Sequence, residues 1–81
     1  MEAGYVFLNV RPGSKKDVIA RVRETRGVKE SHIVFGIFDA VARIEGETIE
    51  HVEKIYLNKI EKIPGITNSG LHIVACPRTR K

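Results

Sequence analysis

Twice in this chain a helical pattern ends on the same short signature: a glycine, an aliphatic residue, then a strand. Gly27-Val28 leads to His32-Ile33-Val34, and Gly65-Ile66 leads to His72-Ile73-Val74. A signature repeated across so short a chain points to two similar β-α-β units. Right-handed crossovers would place both of their helices on one face of a shared sheet.

The rest of the chain fits that frame. Residues 4–10 (Gly-Tyr-Val-Phe-Leu-Asn-Val) read as a first strand, rich in aromatic and β-branched side chains and stopped by Pro12-Gly13. A first helix begins at Ser14, where Ser14 and Asp17 have the spacing of a capping box. Val18, Ile19 and Val22 give it an apolar stripe, and Gly27 is the expected C-cap. Residues 31–35 read as strand two, Gly36-Ile37 as a turn, and residues 38–45 as strand three, stopped by Gly46. A second helix is predicted over residues 48–63, with a stripe of Ile49, Val52, Ile55/Tyr56, Ile60 and Ile63. Pro64-Gly65 ends it. Residues 71–76 read as strand four, closed by Pro77. The predicted fold is therefore α+β, a ferredoxin-like βαββαβ domain with a four-stranded antiparallel sheet and two helices on one face.

Such a sheet should alternate apolar and polar residues, because only one side is covered. These strands do not alternate cleanly. Val6, Leu8 and Val10 can face the helices, yet Tyr5 and Phe7 then point the other way. That second face would carry Tyr5, Phe7, Val34, Val41, Val74 and Cys76, mixed with Asn9, His32, Arg43 and His72. A monomer rarely leaves a patch of this kind in water. Burying several hundred Å² of it would be worth roughly 10 kcal/mol before the costs of association. Chain length strengthens the point. A domain of 81 residues has a small core, and one cysteine cannot form an internal disulfide. The expectation is a twofold dimer that stacks sheet on sheet into an α/β barrel, with Tyr5, Phe7, Val34, Val41 and Val74 in the interface.

Charge excludes less than it first promises. The formal net charge is +4, but Arg78, Arg80 and Lys81 sit in the last four residues. Without them eleven basic residues face ten acidic ones, so the body is nearly neutral. The domain is expected over residues 1–77, with residues 78–81 a basic tail. The start lacks a signal-peptide pattern, and no run approaches the roughly 20 apolar residues of a membrane span. A lone Cys76 fits a reducing compartment, and a cytoplasmic location is expected. His32, His51 and His72 lack metal-ligand spacing, so neither a metal nor another cofactor is expected.

Several of these segments are similar to one family. They are Tyr5 to Val10 with Pro12-Gly13; Gly27-Val28 entering a strand; Gly36-Ile37-Phe38-Asp39-Ala40-Val41; and Ile60-Glu61-Lys62-Ile63-Pro64-Gly65-Ile66. Together they resemble the C-terminal effector-sensing domain of the leucine-responsive regulator/AsnC (Lrp/AsnC) transcription regulators, often called the RAM domain. The resemblance covers nearly the whole chain. Strand one starts within the first few residues, which leaves no room for the family's helix-turn-helix, so the chain reads as a stand-alone sensing domain without direct DNA binding.

The resemblance implies homodimers that assemble into rings or octamers, and a small amino acid bound at subunit interfaces. It further implies mixed assembly with full-length relatives. Gly36, Phe38 and Asp39 match the family's Gly-x-[Tyr/Phe]-Asp turn, where the aspartate suits an effector's ammonium group. Thr67 and Ser69 fall where the family places strand-four hydroxyls. Leu71 stands at the second threonine, and Phe38 at the commoner tyrosine. On this reading the protein is not an enzyme. Two other functions fit the same topology: a small dimeric-barrel monooxygenase or isomerase, and an RNA-binding sheet with Tyr5 and Phe7 as stacking residues.

Overall fold

The computed structural model describes residues 1–75, so Cys76, Pro77 and the basic residues 78–81 lie outside the described residues. The element order is β1 (Glu2–Val10), α1 (Lys15–Glu24), β2 (Val28–Ile33), β3 (Ala40–Gly46), α2 (Ile49–Ile55), a π-helical turn (Tyr56–Ile60) and β4 (Ile66–Ile73). The strands form one sheet in the order β2-β3-β1-β4, antiparallel at every pairing. The α+β ferredoxin-like expectation is met.

One face of the sheet meets the helices. Val6, Leu8, Val10, Ala42 and Ile44 pack with Val18, Ile19 and Val22 of α1 and with Val52, Ile55 and Ile60 of the second helical segment. Of the two sets that the alternation separates in β1, Val6, Leu8 and Val10 face inward. Tyr5 lies opposite Arg43 and His72, and Phe7 opposite Val41 and Gly70, on the other face.

Five local expectations need correction. Ser14 is the N-cap of α1, but its side chain makes no capping hydrogen bond, so the Ser14–Asp17 box does not form. Gly27 is not the C-cap. The helix ends on extended Thr25, and Gly27 (φ +99°) is the third residue of a turn closed by Val28 N–H donating to Thr25 O at 3.1 Å. Strand two lies earlier than expected, over Val28–Ile33, which leaves Phe35 in the following loop.

Helix two does not run evenly to residue 63. It continues from α2 into one π-helical turn and stops at Ile60, where Glu61 N–H donates to Tyr56 O at 2.9 Å. Strand four begins at Ile66, five residues before its apolar run. Hydrogen bonding to β1 decides that boundary: Leu8 lies opposite Ser69 and Asn9 opposite Asn68, so polar residues join the sheet that their own propensity would not have placed there.

Candidate functional site

The expected ligand residues gather around the C-terminal end of β1, on its two flanks. On the β3 side lies the loop that joins β2 to β3. Asp39 N–H donates to Leu8 O at 2.8 Å, and Asp39 O accepts from Val34 N–H at 2.9 Å. Its carboxylate takes the Val10 N–H on Oδ2 at 2.8 Å, and Lys15 Nζ lies 3.6 Å from Oδ1. The Val10 amide holds this carboxyl below its ordinary value; partial burial works against that, and the Lys15 charge adds to it. Asp39 thus ties the end of β1 to the start of α1. It borders an open recess with Val10, Pro12, Gly13, Lys15 and Lys16.

Gly36 sits at the tip of this loop between Phe35 and Ile37, whose side chains are 94% and 86% exposed. Asn9 holds the tip down by donating from Nδ2 to Ile37 O at 2.8 Å. Phe38 turns back to the uncovered face, where its ring centroid lies 5.1 Å from that of Phe7. His72 meets Phe7 edge-on from the other side at 5.2 Å.

On the β4 side lie Thr67 and Ser69. The β1–β4 register pairs Asn9 with Asn68 and Val10 with Ile66, so Thr67 is the extra residue of a β-bulge. Its side chain is exposed. Ser69 faces the helices, and its Oγ is 2.7 Å from Tyr56 Oη, which also lies 3.4 Å from Glu61 Oε2. Glu61, Ile66, Thr67, Asn68 and Ser69 line a shallow recess of about 290 Å³. That is near the lower end of ligand-pocket sizes, roughly 300–1,000 Å³.

The five residues therefore form two groups rather than one cluster. Asp39 and Asn68 both flank Asn9, on opposite sides. Two inter-strand steps separate them, about 10 Å, with the β1 backbone between.

The expected interface residues share the uncovered face. Register puts Tyr5, Phe7 and Val41 there directly, Val34 follows His32, and Val74 lies beside Ala3. Tyr5 is 40% exposed and the other four are half-buried. Arg43 lies over the Tyr5 ring at 5.8 Å and pairs with Glu45 at 3.2 Å.

Tyr56 and Glu61 were missed as polar participants. Tyr56 reads as one more apolar member of the helix stripe. The available signal was its hydroxyl, which a buried tyrosine must satisfy. Among the described residues no group of three His, Cys, Asp or Glu is placed to hold a metal ion, and no helix is long and apolar enough to cross a membrane.

The sheet and its two helices form the fold of a regulator's ligand-binding domain. The Lrp/AsnC ligand binding domain profile matches residues 4–76, and the chain belongs to that family. An uncharacterised HTH-type transcriptional regulator from Pyrococcus furiosus is 31% identical over 65 residues, 76% of this chain and 43% of that protein. The chain thus spans less than half of that relative. A crystal structure from Thermus thermophilus superposes with a TM-score of 0.90 at 19% identity, covering 99% of this chain and all of the other. A Neisseria meningitidis transcriptional regulator, solved as an L-Met complex, gives 0.83 at 14% identity over 98% of this chain and 53% of its own. At these identities the two structures establish the shared fold.

Proposed function

We propose that residues 1–77 form a sensing domain that assembles with itself and binds a small amino-acid effector at subunit interfaces, modulating transcription indirectly. The domain works by binding, not by catalysis, in the cytoplasm. Gly36, Phe38, Asp39, Thr67 and Ser69 are the proposed ligand-binding residues. Tyr5, Phe7, Val34, Val41 and Val74 are the proposed interface, in a homodimer that stacks two sheets into a barrel. Dimers then join into an octamer or ring, and full-length members of the family are candidate partners in mixed assemblies. Contact with DNA is left to those partners.

The observation that carries this reading is the division of the site by β1. One small amino acid cannot span about 10 Å of strand to touch Asp39 and Ser69 of a single subunit. It can touch both groups if the Gly36 loop of one subunit closes over the β4 recess of another. The loop is built for such a contact, because Phe35 and Ile37 flank Gly36 almost fully exposed. The L-methionine held by the Neisseria regulator supports an amino acid as the ligand class.

Light scattering and thermal-shift assays test the two halves of the proposal. A mass of at least two subunits is expected, together with a rise in Tm for one or more of the twenty amino acids at millimolar concentration. A single-subunit mass removes the assembly role, and a flat response to all twenty removes the sensing role.

A further inference from the structure

We infer that Glu61 is the carboxylate that receives a primary ammonium group in the β4 recess. This deepens the amino-acid reading above and rests on it for the identity of the natural ligand.

The π-helical turn creates the site. Residues five apart on an α-helix of 3.6 residues per turn point about 140° away from each other. The turn from Tyr56 to Ile60 closes with an i to i+5 bond, Glu61 N–H to Tyr56 O. Tyr56 and Glu61 are thereby brought to one side, with Tyr56 Oη 3.4 Å from Glu61 Oε2.

Acceptor capacity then sets the ligand's polarity. A phenol has one proton, and the carboxylate can only accept. Tyr56 Oη lies 3.4 Å from Glu61 Oε2 and 2.7 Å from Ser69 Oγ, and across the shorter contact either hydroxyl can donate. Ser69 Oγ keeps a lone pair free to accept in either direction. The recess therefore offers a carboxylate and a hydroxyl oxygen that accept, beside Thr67 on its bulge. Three acceptor-bearing groups around a small recess match the three donors of an R–NH₃⁺ group.

The helix end adds to this preference. Glu61 is the C-cap of the helical segment, where unsatisfied carbonyls favour a cation. Among the described residues no lysine or arginine pairs with Glu61, whereas Asp39 has Lys15 at 3.6 Å. Among the described residues, an incoming ammonium group meets a paired cation at Asp39 and none at Glu61.

Amide chemical shifts of the ¹⁵N-labelled full chain provide the test, with ethylammonium chloride as a probe against sodium chloride at equal ionic strength. The twenty amino acids are titrated separately. Ethylammonium is expected to move the amides of Tyr56, Glu61 and residues 67–69, and E61Q to weaken that binding at least tenfold while E50Q, which removes an exposed carboxylate from the first turn of α2, leaves it unchanged. An amino acid that binds equally well to E61Q overturns the Glu61 assignment and leaves the sensing role standing. Ethylammonium binding at these amides with no amino acid bound overturns the sensing role and leaves the ammonium site standing. No ethylammonium response at these amides in the wild-type chain overturns the site itself.

Discussion

The Asp39 carboxylate accepts the Val10 N–H at 2.8 Å, which joins residues 29 positions apart and closes the end of β1 against the β2–β3 loop. Val10 follows a register shift in the β1–β4 pairing, so its amide is one that the sheet alone serves poorly.

This contact makes stability depend on acid. The hydrogen bond from Val10 places the folded-state pKa of Asp39 below its unfolded value near 3.8. A depressed carboxyl pKa contributes stability that is fully present above the unfolded value and is lost as pH falls through the folded one. The expected window opens at about pH 4 and extends downward. D39A should lower the Tm by a few degrees at pH 7. Asparagine retains an acceptor for Val10, so D39N should fall between D39A and wild type. Both variants should show a shallower acid decline than wild type in thermal melts from pH 7 to pH 2.5. An unchanged acid limb in D39A would remove Asp39 from the account.

Gly27 tests the turn that replaced the expected helix cap. Its φ is +99°, and a Cβ there would lie 2.5 Å from Ile55 Cδ1. G27A combines backbone strain with a steric clash and should cost about 1–3 kcal/mol in denaturant unfolding. Gly13 separates the two causes. It also has positive φ (+87°), yet a Cβ there would meet nothing within 4 Å, so G13A should show the backbone cost alone. I55V removes Cδ1, and in that background the G27A penalty should shrink toward the G13A value.

How much of this was legible in the sequence follows from the physics of each element. Val6, Leu8 and Val10 alternate with Tyr5, Phe7 and Asn9, and that period separated two faces without deciding which is inward; packing against the helices turns Val6, Leu8 and Val10 inward. Gly36-Ile37 announced a turn, but strand three, read from Phe38 to Glu45, runs from Ala40 to Gly46, so Phe38 and Asp39 belong to the loop; the resemblance carried by this segment and by Ile63-Pro64-Gly65-Ile66 reached the right family. Strand four misled because Thr67, Asn68 and Ser69 have no apolar pattern. They are strand residues through pairing with β1, a contact between positions nearly sixty residues apart. The π-helical turn was illegible for a related reason. Ile60 is fully buried and Tyr56 nearly so, and four-residue spacing suits an ordinary helix equally well. The i to i+5 bond from Glu61 N–H to Tyr56 O distinguishes the two, and no side-chain pattern announces it.

Tyr56 provides a direct probe of that local geometry. Its ring is in the core and its hydroxyl links Ser69 to Glu61. Y56F keeps the ring and removes both contacts, at an expected cost of about 1–2 kcal/mol, since Ser69 also loses a partner. S69A removes one partner from the same chain of hydrogen bonds. The Y56F/S69A double variant should cost less than the two single changes combined, as measured in urea unfolding. Strict additivity would show that the Tyr56–Ser69 contact contributes nothing to the fold.

Assembly makes the last prediction, and two sets of apolar side chains divide it. Tyr5 and Phe7 belong to the uncovered sheet face, while Phe35 and Ile37 project from the loop beside Gly36. Serine at positions 5 and 7 removes apolar area from the proposed stacked face, so Y5S/F7S should reduce the solution mass to that of one subunit. The exposed pair lies outside that face, in the proposed contact between dimers. F35S/I37S should therefore leave a dimer while abolishing larger species, and it should weaken any amino-acid response at least tenfold. Neither side chain packs into the core of its own subunit, so the Tm of F35S/I37S at low protein concentration should stay within a few degrees of wild type. Light scattering across a concentration series distinguishes these outcomes. A fully assembled F35S/I37S variant would detach the Gly36 loop from the interface, and with it the reason for a ligand site shared between subunits.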